Sequence, residues 1–155
     1  MQSIDQTSDL IARLSAIPAR ITQATAGWSE GQLRAAPADD QWSAAAILAH
    51  LRASDDILAY RAYMILVRDS APMPSFDERR WAEVAGYTKA DFHTSLEAFR
   101  LRRAELAAML RRAGPDDWRR SGVHEERGSL ALIDIITHVV EHEEEHCAQI
   151  EALRL

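Results

Sequence analysis

Four long stretches in which apolar side chains recur every three to four residues dominate this chain, the period of a helix packed on one face. The first runs from about Ile4 to Ala26 and carries Leu10, Ile11, Leu14, Ile17 and Ile21, with Pro18 as an expected kink. The second runs from about Ser43, a natural N-cap, to Asp69, with Ile47, Leu51, Ile57, Leu58 and Ile65. The third starts near Thr88, with Asp91 three residues on, and carries Phe92, Leu96, Phe99, Leu106 and Leu110 before Gly114-Pro115 stops it. The fourth opens at Gly128-Ser129 and runs almost to Leu155. Residues 70–87 form a long connection with Pro72 and Pro74, holding a short helix near Glu78–Val84. No segment reads as a strand. The expected fold is all-α: a four-helix bundle with a long crossover between its second and third helices.

Composition narrows the function classes. The 155 residues suit one domain with a sizeable core, and a 47% hydrophobic, 27% charged composition is globular. The formal net charge is −6 and the arginines are interleaved with acids. Without a basic stripe there is no footprint for nucleic acid, whose phosphates supply most of the affinity. No apolar run approaches the roughly 20 residues that span a bilayer. The amino terminus lacks the basic and apolar regions of a signal peptide, and a single cysteine, Cys147, excludes an internal disulfide framework. A soluble cytoplasmic protein is expected.

The fourth helix carries the chemistry. His138, His142 and His146 follow one another at four-residue steps. Residues four apart on a helix are neighbours, so two such imidazoles can reach one divalent ion at Zn–N distances of about 2.0–2.1 Å. Three in a row cannot, because His138 and His146 are roughly 12 Å apart along the axis. With His142 at zero on a helical wheel, His146 lies at about 40°, Val139 at about 60° and Ile150 at about 80°, inside the apolar stripe. His138 falls at about −40°, beside Glu145 at the polar edge. Two imidazoles aimed into a core need polar partners. A metal is one; tyrosines, carboxylates or water are others.

A third protein ligand must come from elsewhere. His50, on the second helix, points into the bundle among Ile47, Leu51, Ser54, Ile57 and Leu58, as a satisfied core histidine also would. His93 sits beside Asp91 in the first turn of the third helix, and His124 lies in a polar loop with Glu125 and Glu126. At the level of spacing the choice stays open.

Taken together, Asp40-Gln41-Trp42-Ser43, His50-Leu51, Arg61, the Trp81 region, Asp117-Trp118, Gly128-Ser129-Leu130 and His142-x-x-x-His146-x-x-Gln149-Ile150 resemble the DinB-like superfamily of four-helix-bundle metalloproteins. The resemblance covers nearly the whole chain. It implies a divalent metal, zinc or nickel, on His50, His142 and His146, with open positions for water or substrate. It implies a metal-dependent enzyme, of the kind that uses low-molecular-weight thiols in S-transfer or isomerisation, or a related hydrolase. Homodimers are common among such proteins. The alternative is a non-catalytic helical binding or stress-related module that keeps a structural or relic metal.

Other features carry their own expectations. His142-Glu143-x-x-His146 matches the H-E-x-x-H peptidase pattern, in which Glu143 would be the general base. Only nine residues follow His146 to supply a further ligand, so Glu143 is read as part of a partly solvated acidic edge, Glu143-Glu144-Glu145. Cys147 projects about 100° from His146 and reads as a small buried residue. Arg61, about 16 Å along the helix from His50, reads as paired with a carboxylate inside the bundle or as an anchor for a remote substrate carboxylate. Trp28, Trp42, Trp81 and Trp118 read as caps on the bundle ends or walls of a pocket mouth. The apolar faces of the first and third helices, with Leu101 and Met109 added to the residues above, exceed one core-facing stripe of about 100° and argue for a two-fold dimer.

Overall fold

A computed structural model describes residues 4–153, with side chains from Gln6. Its long helices are α1 (Ile4–Ala24), α3 (Ala44–Val67), α5 (Phe92–Arg112) and α7 (Leu132–Ala152), with short helices α2 (Glu30–Arg34), α4 (Glu78–Val84) and α6 (Pro115–Arg119) between them. α1 packs against α5 and α7, and α3 packs against the same two, so α1 and α3 lie on one diagonal of a four-helix bundle. The crossover between α3 and α5 contains α4 and a 3-10 turn at Tyr87–Lys89. No helix among the described residues is long and apolar enough to cross a membrane.

The helix boundaries follow local chemistry. Ser43 caps α3 by accepting from the Ala46 amide, and Asp91 caps α5 by accepting from Thr94. Thus α5 begins at Phe92, four residues after the expected Thr88. α1 continues past Pro18 without a break. Its apolar residues Leu10, Ile11, Leu14, Ile17 and Ile21 are all buried, as are Leu96, Phe99, Leu106, Met109 and Leu110 of α5. The bundle itself absorbs the faces that argued for a dimer, and only Leu101 stays exposed.

One expectation is corrected. Among the described residues three short strands are present: β1 (Ala71–Met73), β2 (Ser121–His124) and β3 (Gly128–Ala131), in the order β1-β2-β3. β1 runs parallel to β2, and β2 forms an antiparallel hairpin with β3. Gly128-Ser129 therefore opens the second strand of a hairpin rather than a helix, and α7 starts at Leu132, where Asp134 accepts from the Ala131 amide. These strands are too short for a period-two pattern to register, and Pro72 is tolerated because β1 is an edge. The sheet ties the crossover to the loop before α7.

The apolar core divides into two clusters. One holds Leu14, Leu58, Leu106 and Val140, and the other Ile17, Leu51, Phe99 and Cys147. Between them on the helices lie Asp55, Arg103 and Glu143, all buried.

The approach of β1 to β2 yields a test. A Cβ on Gly122 would lie 2.7 Å from the Ala71 carbonyl oxygen, a backbone atom that cannot swing aside. Gly122→Ala should cost about 1–3 kcal/mol in urea unfolding, the range of overpacked sites. Unchanged stability would show that this pairing is not needed.

Candidate metal centre

Two helices bring the histidines together. His50 projects from α3, and His142 and His146 from successive turns of α7. The Nε2 atom of His142 lies 2.9 Å from that of His50 and 3.1 Å from that of His146. Nitrogens bound to one ion at about 2.0–2.1 Å are separated by roughly 2.9–3.4 Å, for octahedral to tetrahedral angles. Two of the three pairs therefore have the spacing of ligands on one centre, and the ligand atoms of all three residues lie within 4.8 Å of one another.

Protonation and tautomer suit the same role. Burial pushes the His142 imidazolium down to about 3, with the neighbouring His146, His50 and His138 adding to the shift. Burial likewise lowers His50 to about 4, aided by His146 and Arg79. Both rings are neutral at pH 7. His146 Nδ1 sits 2.8 Å from the Gln149 side-chain oxygen, which only accepts, so the ring carries its proton there and turns an Nε2 lone pair inward. His50 Nδ1 faces a Glu78 carboxylate oxygen of α4 at 3.7 Å. Carboxylate and amide partners behind ligating imidazoles are the usual means of fixing ring orientation.

Trp42 closes one side. Its ring stacks on His146 at 6.0 Å between centroids and leans on His50 at 5.1 Å. Two clefts flank it. One of about 230 Å³ is lined by His50, Glu78 and Ala82, and one of about 650 Å³ by His146, Gln149 and Asp40. The centre is thus accessible from outside, unlike a site sealed by four protein ligands.

The remaining candidates lie elsewhere. His138 is exposed and stacks on His142 at 5.9 Å without joining the cluster. His93 is exposed. His124 is buried on β2, where its Nδ1 accepts from the amides of Glu126 and Arg127, a structural role in the hairpin. Cys147 is buried against the Ile17 carbonyl, and burial pushes its thiol up to about 12. Arg61 donates to the Pro74 carbonyl at 2.6 Å and lies over Phe76; it makes no ion pair among the described residues, contrary to the expected carboxylate partner. Trp81 and Tyr87 both donate to Asp56, pinning the crossover to α3, while Trp118 is buried in the core.

Glu143 also differs from expectation. It is 1% exposed, not a solvated edge, and contacts Arg103, which reaches Asp55 at 3.1 Å. Burial holds its carboxyl above the usual range, Arg103 pulls it back, and Asp55 pushes it further up. Turned toward α5, it faces away from the clefts and cannot take a proton from a water bound there. Glu78 and the packing of Trp42 on the cluster were not legible in sequence, because the crossover that carries Glu78 is placed only by tertiary contacts. The signal for Glu143 existed: it lies at about 100° on the wheel, beside Ile150 at about 80°.

The DinB superfamily model matches residues 13–150 of the chain. The chain belongs to the DinB superfamily. No curated protein matches it. Among solved structures it is similar to YfiT from Bacillus subtilis, described as a probable metal-dependent hydrolase with an unusual four-helix bundle topology. That likeness has a TM-score of 0.86 at 24% identity and covers 97% of this chain and 86% of the other, which establishes the shared fold.

Two outcomes are expected. Glu143→Ala leaves Arg103 without its closest partner in the core and should destabilise the metal-free protein by about 3–5 kcal/mol in urea unfolding. A solvated Glu143 would change stability little. The histidines set the acid behaviour. Their folded values lie below the unfolded value of about 6.5, so the unfolded chain binds more protons and stability is lost as pH falls from about 6.5 toward 4 and 3. In chelator-treated protein, the melting temperature should fall less steeply between pH 6.5 and 4.5 for His142→Gln than for wild type. Equal slopes would contradict the assignment.

Proposed function

We propose that the chain is a metal-dependent enzyme whose His50, His142 and His146 hold a divalent cation, zinc or nickel, and that it transfers a low-molecular-weight thiol to an electrophilic small molecule. The convergence of three Nε2 atoms beside open clefts carries the reading. A divalent cation held by neutral imidazoles keeps its full charge and raises the acidity of a bound thiol or water.

The residues of the chain supply the rest. Gln149 holds the His146 ring in orientation, and the Glu78 carboxylate faces His50 Nδ1 at 3.7 Å. Trp42 walls the centre and leaves entry through the clefts. Glu143, the base that an H-E-x-x-H peptidase requires, is committed to Arg103, which disfavours peptidase chemistry. A thiol made acidic by the cation needs no such base, which favours thiol transfer.

A related hydrolase is the second reading, favoured by Glu78. Its half-exposed carboxylate lines the smaller cleft and could accept a proton from water. Its likeness to YfiT, described as a probable metal-dependent hydrolase, points the same way.

Elemental analysis of purified protein should find about one divalent ion per chain. His50→Ala, His142→Ala and His146→Ala should each remove most of it, and His138→Ala little. Full occupancy in His50→Ala would refute the ligand set. With cobalt in place, added thiol should perturb the visible spectrum, and the loaded protein should accelerate conjugation of thiols to a chloro-dinitrobenzene. Ester cleavage without any thiol requirement would select the hydrolase, and inertness in both assays the structural metal.

A further inference from the structure

We propose that Arg79 is the recognition point for a carboxylate on the substrate, an inference that rests on the metal-centred reading above and names the class of molecule it takes. Arg79 projects from α4, and its guanidinium lies over the Trp42 ring, 5.6 Å from the centroid. Trp42 in turn packs against His146 and His50. Cation, indole and histidines are thus in direct succession.

Arg79 and Trp42 are common to both clefts, and one cluster histidine opens on each: His50 on the smaller, His146 on the larger. A molecule entering by either route passes Arg79. The neighbouring charges are otherwise engaged. Arg80 pairs with Glu83, and Glu78 faces His50. Arg79 makes no ion pair with a carboxylate among the described residues, and Asp40, which shares the larger cleft, is not its partner.

An arginine laid on an aromatic face keeps its hydrogen-bonding edge free, and that planar edge matches a carboxylate in a two-point contact. Arg79 is the cation that both clefts share, and one guanidinium matches one carboxylate edge to edge.

The test compares two thiols of equal length, 6-mercaptohexanoate and 6-mercaptohexanol, titrated into cobalt-loaded protein by visible absorption. The acid should bind roughly tenfold more tightly than the alcohol. Arg79→Gln, a surface change, should abolish that preference and leave the alcohol's affinity unchanged. Hexanoate, which has no thiol, should bind wild type in calorimetry and lose that binding in Arg79→Gln. No preference in wild type, or a preference that persists in Arg79→Gln through chelation of the cation by the carboxylate, would overturn the role of Arg79. A spectrum indifferent to both thiols, with hexanoate binding still dependent on Arg79, would sink thiol transfer and sustain the carboxylate site.

Discussion

Arg103 is the interaction on which the bundle's arrangement turns. Its guanidinium, 1% exposed, contacts Glu143 on α7 and lies 3.1 Å from Asp55 on α3, so three of the four long helices meet at one buried charge. Arg102 reinforces the layer from the half-exposed side, reaching Asp55 at 2.6 Å and Asp56 at 3.0 Å. Apolar clusters lie above and below. Apolar packing tolerates sliding and rotation of helices better than a charge does, because a displaced ion in the core loses its partner and keeps its desolvation penalty. A buried polar layer is accordingly a device that selects one register.

That register places the histidines. Glu143 directed at α5 fixes the rotation of α7, and His142 and His146, on the adjoining strip of the same helix, then face α3. Asp55 fixes α3 in the same way, with His50 a little over one turn before it. His50 and His146 each bring a ring nitrogen to about 3 Å from that of His142 because both helices are pinned one step away. The crossover completes the surroundings. Asp56 holds Trp81 of α4 and Tyr87, which brings Glu78 to His50 and Arg79 to Trp42. The chemistry sits on rigid helices, and the entrance sits on the connecting segment, which is where specificity can vary without disturbing the ligands.

Much of this was legible in the residues. Period 3.6 marked α1, α5 and α7 because each buries one face, whereas α3 is buried nearly all round beneath the crossover, and Ser43 announced a boundary that the structure keeps. The wheel separated His142 and His146 from His138 by direction alone, and the structure brings that pair to His50 while His138 stays outside. The failures share a cause. Each member of the buried ionic layer stands next to a like-charged residue that is more exposed: Asp55 by Asp56, Arg103 by Arg102, Glu143 by Glu144. A charge run looks solvated until each member is placed on the wheel, where Arg103 follows Phe99 by four and precedes Leu106 by three. The three strands were hidden for another reason. Each has three or four residues, and the β1–β2 pairing joins partners 51 residues apart, Ala71 and Gly122, which leaves no local pattern.

The central claim is that imidazoles from two helices share one divalent ion. X-ray absorption at the metal edge of zinc-reconstituted protein tests it most directly, since scattering from the outer ring atoms counts imidazoles. A centre built on His50, His142 and His146 predicts three imidazole nitrogens at about 2.0–2.1 Å, with the remaining position held by a light atom that a thiol replaces with sulfur at about 2.3 Å. Fewer than three imidazoles would contradict it.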